Sequence, residues 1–250
     1  MSVNSYKYLS DVYDELMLDV DYDQWAQYIN KLLVKHRGNR LNIFEAGCGT
    51  GSISLKMFSY GHRIISTDIS AEMLEIASEN ARKTGADINF IQQDMRRLSC
   101  TGKKDAVLAC CDAVNYLTDD SDALDFFSSA FDILLPGGIL LFDISSFYKL
   151  KYTIGNELFF EDGDETTYFW QNSFDESRNC VKMELTLFIS DGDVYRRFDE
   201  THIQRAYTVD ELNCLLRKAG FSDISAYTFL TENPAEKTDD RIQFAAIKKG

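Results

Sequence analysis

The chain has 250 residues, 45% apolar and 26% charged, the balance of a globular protein large enough for one α/β domain with an insertion. Forty acidic against 26 basic side chains leave a net charge of −14, which repels a phosphate backbone and argues against DNA or RNA as substrate. No apolar run approaches a membrane span, Met1 to Ser10 lacks the regions of a signal peptide, and six scattered cysteines without a C-x-x-C pair suggest buried thiols in a reducing cytoplasm and no metal.

In chain order, Tyr6, Tyr8 and Tyr13 come first. After an acidic run, Trp25, Tyr28, Ile29, Leu32 and Leu33 recur at helical spacing until His36-Arg37-Gly38 stops the helix. That helix is expected to cover one face of a sheet, and the tyrosines before it to form a lid over a ligand. The stretch that organises the rest is Asn42 to Asp68. Asn42-Ile43-Phe44-Glu45-Ala46 is a strand, Gly47-Cys48-Gly49-Thr50-Gly51 a turn, Ser52 to Tyr60 a helix, and Arg63 to Asp68 a second strand ending in an acid. Glycines let the backbone approach a ligand, and the acid is placed to accept hydrogen bonds from ribose hydroxyls. The dinucleotide pattern G-x-G-x-x-G would need glycine or alanine at Ser52; the pattern here is G-x-G-x-G.

Ile69 to Lys83 reads as a helix capped by Ser70. Ile88 to Gln92 is a third strand, followed by Gln93-Asp94-Met95. Lys104 to Cys111 is a fourth strand, apolar at its centre as a buried parallel strand should be. Asp119 to Leu135 is a helix, and Leu134-Leu135-Pro136-Gly137-Gly138 turns into a fifth strand ending at Asp143. Between 144 and 207, Val181, Met183, Leu185, Leu187 and Ile189 alternate with Lys182, Glu184, Thr186 and Phe188, and turns fall near 163, 177 and 192. Three or four antiparallel strands follow from this. Thr208 to Ala219 is a helix closed by Gly220, and Phe221 to Thr228 with Arg241 to Lys248 form a closing pair of strands.

The glycine turn, Asp68, Asp94 and the Pro-Gly-Gly strand, in that order, resemble the class I S-adenosylmethionine (SAM)-dependent methyltransferases from about Tyr6 to Asp143 and again from Tyr207 to the end. The resemblance implies an α/β fold: a Rossmann-like seven-stranded sheet with helices on both faces, formed by 1–143 and 208–250. The inserted antiparallel sheet, 144–207, resembles the cover of the active-site mouth in glycine N-methyltransferase and in amino-sugar N,N-dimethyltransferases. SAM is the implied cofactor. Ala46, Gly47, Cys48, Gly49 and Gly51 would form its cradle, with Asp68 on the ribose and Ile69 beside it. Asp94 would accept from the adenine amino group, Met95 would pack on the purine, and Cys111 would close the site. Tyr13, in Tyr13-Asp14-Glu15-Leu16, is similar to a tyrosine that reaches the cofactor in many small-molecule members. The alternative reading of Asp94 is as the cap of the turn that follows it.

Methyl transfer from a sulfonium is an in-line displacement that needs alignment and exclusion of water, with a general base optional. Tyr13, Asp112, Asn115 and His202 are the expected catalytic groups. Asp112 and Asn115 sit where an amine would present its hydrogens, and His202 reads either as a base or as a polar cross-strand residue. Tyr148, Trp170, Arg205 and Tyr207 are further substrate-side candidates. The only prolines, Pro136 and Pro234, exclude the [DN]-P-P-[YFW] loop of enzymes that methylate nucleic-acid amino groups. The expectation is a cytoplasmic monomer or homodimer that methylates N or O of a small molecule and binds neither nucleic acid nor membrane. A nicotinamide-dependent oxidoreductase, disfavoured by Ser52 and the closing strands, and a SAM-binding protein without turnover remain as alternatives.

Overall fold

The computed structural model describes residues 20–163 and 166–249. The expected lid of Tyr6, Tyr8 and Tyr13, and with it the cofactor and catalytic roles of Tyr13, lies outside the described residues.

Helix α1 (Tyr22–Arg37) starts where the Asp21 carboxylate accepts from the Gln24 N–H and stops at Gly38, which has φ 85°. Its apolar stripe, Trp25, Ile29, Leu32 and Leu33, is buried against one face of the main sheet. The chain then runs β1 (Asn42–Ala46), α2 (Ser52–Ser59), β2 (Arg63–Asp68), α3 (Ala71–Thr84), β3 (Asn89–Gln92), β4 (Lys104–Ala109), α4 (Asp120–Ile133) and β5 (Leu134–Ser145). Four strands follow as an excursion: β6 (Leu158–Asp162), β7 (Thr166–Asp175), β8 (Cys180–Asp191) and β9 (Val194–Arg205). Helix α5 (Val209–Lys218), β10 (Asp223–Thr228) and β11 (Arg241–Ile247) complete the main domain. The Thr208 hydroxyl and the Glu211 carboxylate fix the start of α5 as a reciprocal capping box.

The main sheet has seven strands in the order β10-β11-β5-β4-β1-β2-β3. β1 to β5 pair in parallel, and β11 enters antiparallel between β5 and β10. Successive residues of a strand face opposite sides. Ile43, Ala106 and Leu108 therefore pack under α1 and α2, while Phe44, Val107 and Ala109 pack under α4 and α5. Both faces are apolar, which is why the central strands read as continuous hydrophobic runs. The second sheet, β6-β7-β8-β9, is antiparallel throughout, so the expected insertion has four strands. On β8, Val181, Met183 and Leu187 are buried and Lys182 and Glu184 exposed, as the alternation predicted.

Several boundaries shift by a few residues, and two of the shifts have a structural cause. β5 begins at Leu134, ahead of the glycines, because Leu134 already pairs with Lys104, with a register shift between Lys104 and Ala106. β4 ends at Ala109 because Cys111 and Asp112 adopt left-handed backbone, φ 58° and 50°. That departure shapes the site.

Candidate functional site

Parallel strands release their loops at one edge of the sheet, and the loops after β1, β2, β3 and β4 meet there in one cleft. The turn after β1 is held by Gly47 and Cys48, whose N–H groups both donate to the Thr67 carbonyl, at 2.7 and 3.0 Å. Gly47 has φ 71°, and a Cβ there would lie 3.0 Å from that of Ala113. Asp68, at the tip of β2, accepts from the Gly49 N–H and the Ser70 N–H, each at 2.9 Å. The acid thus braces the glycine turn while lining the cleft. Burial pushes its carboxyl above the ordinary range against the pull of those N–H donors.

Beneath the turn, Glu45 is sealed and accepts hydrogen bonds from Ser54 and Ser66. Burial raises its carboxyl to about 7. Met95 and Ile69 line the cleft, as does Asp94. The Asp94 carboxylate is occupied: it accepts from the Arg96 N–H at 2.9 Å and pairs with the Arg96 guanidinium, which holds its carboxyl below the ordinary range. The capping role is therefore present, and an adenine contact would have to share this carboxylate with Arg96.

Of the expected cradle, Gly47, Cys48, Gly49, Asp68, Ile69, Asp94, Met95 and Cys111 line the cleft, and two residues do not. Ala46 is fully buried in the core of β1. Gly51 starts α2 in a left-handed conformation, φ 84°, with its Cα turned toward Ala77 and Phe90. Both serve the turn without touching its space. A cleft with a glycine turn on one wall and an acid at the tip of its second strand fits a ribose-bearing cofactor. Gly49, where an added Cβ would meet nothing within 4 Å, leaves its backbone open on that wall.

The turn after β4 separates this cleft from a second cavity of about 350 Å³, and Cys111 and Tyr116 line both. Two consecutive left-handed residues at Cys111 and Asp112 cost roughly 1–2 kcal/mol each and point their N–H groups the same way. The buried Asp143 carboxylate at the end of β5 accepts both, at 2.8 and 3.0 Å. Arg241 then bridges two acids, donating to Asp143 and, at 2.7 Å, to Asp112. Its guanidinium lies 5.0 Å from the Trp25 ring centroid, so α1 closes over it. Burial pushes the Asp143 carboxyl up. Burial acts the same way on Asp112, but Arg241, Lys149 and Gln204 together outweigh it and hold Asp112 ionised.

The inserted sheet supplies the opposite wall through Tyr168, Trp170, Met183, Leu185, His202 and Gln204. His202 lies with Nε2 3.2 Å from Glu200 and Nδ1 3.5 Å from the Tyr116 hydroxyl. Phe169, next to Trp170, faces away and stacks on Phe160 at 6.3 Å.

Several expected substrate-side roles are corrected. Asn115 is fully buried: its amide donates to the Ser145 and Arg205 carbonyls at 2.9 and 2.8 Å and accepts from the Ser145 N–H at 3.0 Å. It ties β5 to the end of β9 and presents nothing to an amine. Asp112 lines the second cavity, but its oxygens are taken by Arg241 and, at 2.6 Å, by Gln204. It shapes the wall as part of an ion pair and is no free base. Arg205 pairs with Asp120 at 2.7 Å and with Glu211, and Tyr207 is buried with its hydroxyl on the Leu117 carbonyl, so both latch the insertion to the main domain. Tyr148 packs on Tyr152, outside the cavity. His202 and Trp170 do reach it. Of the six cysteines, Cys214 is exposed.

Sequence reasoning passed over Arg241, Lys149, Gln204 and Tyr116. A signal existed for Arg241 alone: a cation that opens the strand Ile242 to Ile247, which is apolar but for Gln243. Among the described residues no cluster of His, Cys, Asp and Glu could hold a metal ion, and no helix is long and apolar enough to cross a membrane.

Known proteins share this arrangement. Residues 43–138 match the family described as methyltransferase domain. The chain is 34% identical over 244 residues to the Bacillus subtilis (strain 168) protein YqeM, named as a methyltransferase, covering 97% of each. It superposes on a SAM-dependent methyltransferase from Clostridium acetobutylicum ATCC 824 with a TM-score of 0.88 and 31% identity, over 99% of this chain and all of that one. A third likeness, TM-score 0.75 at 19% identity over 95% of this chain and 97% of the other, is to SAM-bound CalS10, an amino pentose methyltransferase from Micromonospora echinaspora. The strand order with its antiparallel β11, the glycine turn braced by an acid, and these full-length likenesses set the nicotinamide alternative aside: the chain belongs to the class I SAM-dependent methyltransferases.

Proposed function

We propose that the acceptor is a small molecule held in the cavity between the main domain and the inserted sheet, and that its N or O nucleophile meets the methyl donor at the neck formed by Cys111 and Tyr116. The observation that carries this is the sharing of those two residues by both cavities. SAM, when bound, supplies a methyl group activated by the positive sulfur. Gly47, Gly49 and Asp68 would hold its ribose end, and Met95 its purine. Tyr116 would orient the acceptor at the neck. Trp25, Trp170 and Tyr168 would exclude water, which aligned transfer requires. His202, backed by Glu200, is placed to take the proton that an amine or hydroxyl releases. A cavity of about 350 Å³ suits a metabolite, and the net charge of −14 disfavours a nucleic-acid strand. CalS10, which shares this fold, is named as an amino pentose methyltransferase, a small-molecule enzyme.

The test is methyl transfer from tritiated SAM to panels of small amines, hydroxy compounds, RNA and protein, with Met183→Trp as a cavity-filling variant. Transfer to a small acceptor, lost in the variant while calorimetry shows its SAM affinity unchanged, is the expected result. Transfer confined to RNA or protein, or a variant that turns over normally, would refute the assignment.

A further inference from the structure

Lys149 stands apart on the wall of the second cavity. After β5 the chain makes a wide i→i+5 turn, Lys149–Thr153, started by the Ser146 hydroxyl on the Lys149 N–H at 3.0 Å and closed by the Ile154 N–H on the Lys149 carbonyl at 3.0 Å. The turn sets Lys149, Leu150 and Ile154 on the cavity wall. The other polar side chains there that could carry charge have partners: Arg241 has Asp112 and Asp143, and His202 has Glu200 and Tyr116. Among the described residues the Lys149 ammonium has no hydrogen bond and no ion pair. Both oxygens of Asp112, the nearest acid on the wall, are already held by Arg241 and Gln204.

We propose that Lys149 receives a carboxylate carried by the methyl acceptor, so that the acceptor class is a small acid with an apolar body and a nucleophile at its other end. The inference rests on the reading of this cavity as the acceptor site. A partly buried ammonium that feels Asp112, Asp143 and Asp240 only at a distance, with no direct hydrogen bond or ion pair, is unfavourable, and a carboxylate in contact is the group that completes it. Burial, with Arg241 nearby, also pulls the Lys149 ammonium below its usual range, as expected of a cation awaiting its counter-ion. Asp112, Asp143 and Asp240 act on the same ammonium and would repel a second negative charge, which favours a monoanion over a phosphate. Opposite lie Trp170, Met183 and Leu185, a surface for hydrocarbon. With the anion at Lys149 and the body on that wall, the far end of the acceptor is directed to Tyr116.

The molecule carries its own reporter: Trp25 and Trp170 are the only two tryptophans, and both line this cavity. Tryptophan fluorescence of the protein saturated with S-adenosylhomocysteine is titrated with phenylacetate, phenylacetamide and phenyl phosphate. Saturable quenching by phenylacetate is expected, with the amide weaker by roughly tenfold or more and the phosphate weaker than the acid. Lys149→Met should lose phenylacetate affinity by a similar factor, and Lys149→Arg should keep most of it, with S-adenosylhomocysteine binding unchanged in both. Equal binding of acid and amide, tighter binding of the phosphate, no acid-dependent change, or an unaffected Lys149→Met variant would overturn the proposal. The comparison of acid with amide uses the unaltered protein and does not depend on how a variant folds. Acid binding through Lys149 with no methylation of any carboxylate-bearing acceptor would leave the anion site standing and remove the acceptor reading. Methylation of small acceptors regardless of a carboxylate would do the reverse.

Discussion

The two cavities that meet at Cys111 and Tyr116 are built differently. The cleft over β1 to β4 is organised by a backbone turn: Gly47, Cys48 and Gly49 are fixed through their N–H groups, one carboxylate, Asp68, braces them, and side chains such as Ile69 and Met95 complete the wall. The cavity under the inserted sheet is made of side chains from distant parts of the chain, Trp25, Lys149, Gln204 and Arg241 among them. Backbone requirements restrict residue type locally, so a cleft of the first kind leaves a contiguous trace in the sequence. Side-chain walls leave none, since each member is an ordinary residue until the fold brings it to the others. A family can thus keep one cofactor cleft while changing acceptors by replacing a wall.

The contrast can be broken most severely at Arg241. Replacing it with methionine leaves Asp143 buried without a cation and frees the turn at Cys111 and Asp112, a loss of about 3–5 kcal/mol in urea denaturation. Arg241→Lys should rescue little, because one ammonium cannot donate in a fork to two acids. A stability unchanged in either variant would mean that the shared wall does not depend on this bridge.

On the cofactor side the buried acid Glu45 gives a pH dependence. Its carboxyl sits at about 7 in the folded chain against an ordinary 4.5. Between those values the folded state holds a proton that the unfolded chain has released. Stability contributed by this group is therefore complete below about 4.5 and falls as pH rises through about 7, by on the order of 3 kcal/mol. Glu45→Gln, which stays neutral and can keep its hydrogen bonds to Ser54 and Ser66, should flatten this slope when denaturation at pH 5 is compared with pH 8. An identical slope in the variant would show that Glu45 is not its source.

A smaller effect sharpens the role of Asp68. Asp68→Ala removes both the expected acceptor for ribose hydroxyls and the brace on Gly49. SAM affinity in calorimetry should fall by about 1.5–3 kcal/mol, roughly ten- to a hundredfold. An unchanged affinity would leave Asp68 with the loop alone.

The residues show why one half of the site was readable and the other was not. The G-x-G-x-G turn, Asp68 and the period-two alternation of β8 were visible because each expresses a local rule of backbone or pleat. Asn115 was misread because its position in the turn after β4 suits an amine contact and a structural tie equally; only the Ser145 and Arg205 carbonyls decide between them. Left-handed Cys111 and Asp112 carry no glycine to announce them, since Asp143 stabilises the turn from 31 and 32 residues away. Arg205 and Tyr207 looked like substrate groups for the same reason: their partners Asp120, Glu211 and Leu117 are near only in the fold.

The most direct measurement of the central claim is a crystal structure with S-adenosylhomocysteine bound, in which the ligand sulfur is located. The account predicts the ribose at Asp68 and the sulfur at the neck between Cys111 and Tyr116, facing the inserted sheet. A sulfur directed to open solvent, or an adenosine lodged under the inserted sheet, would contradict it.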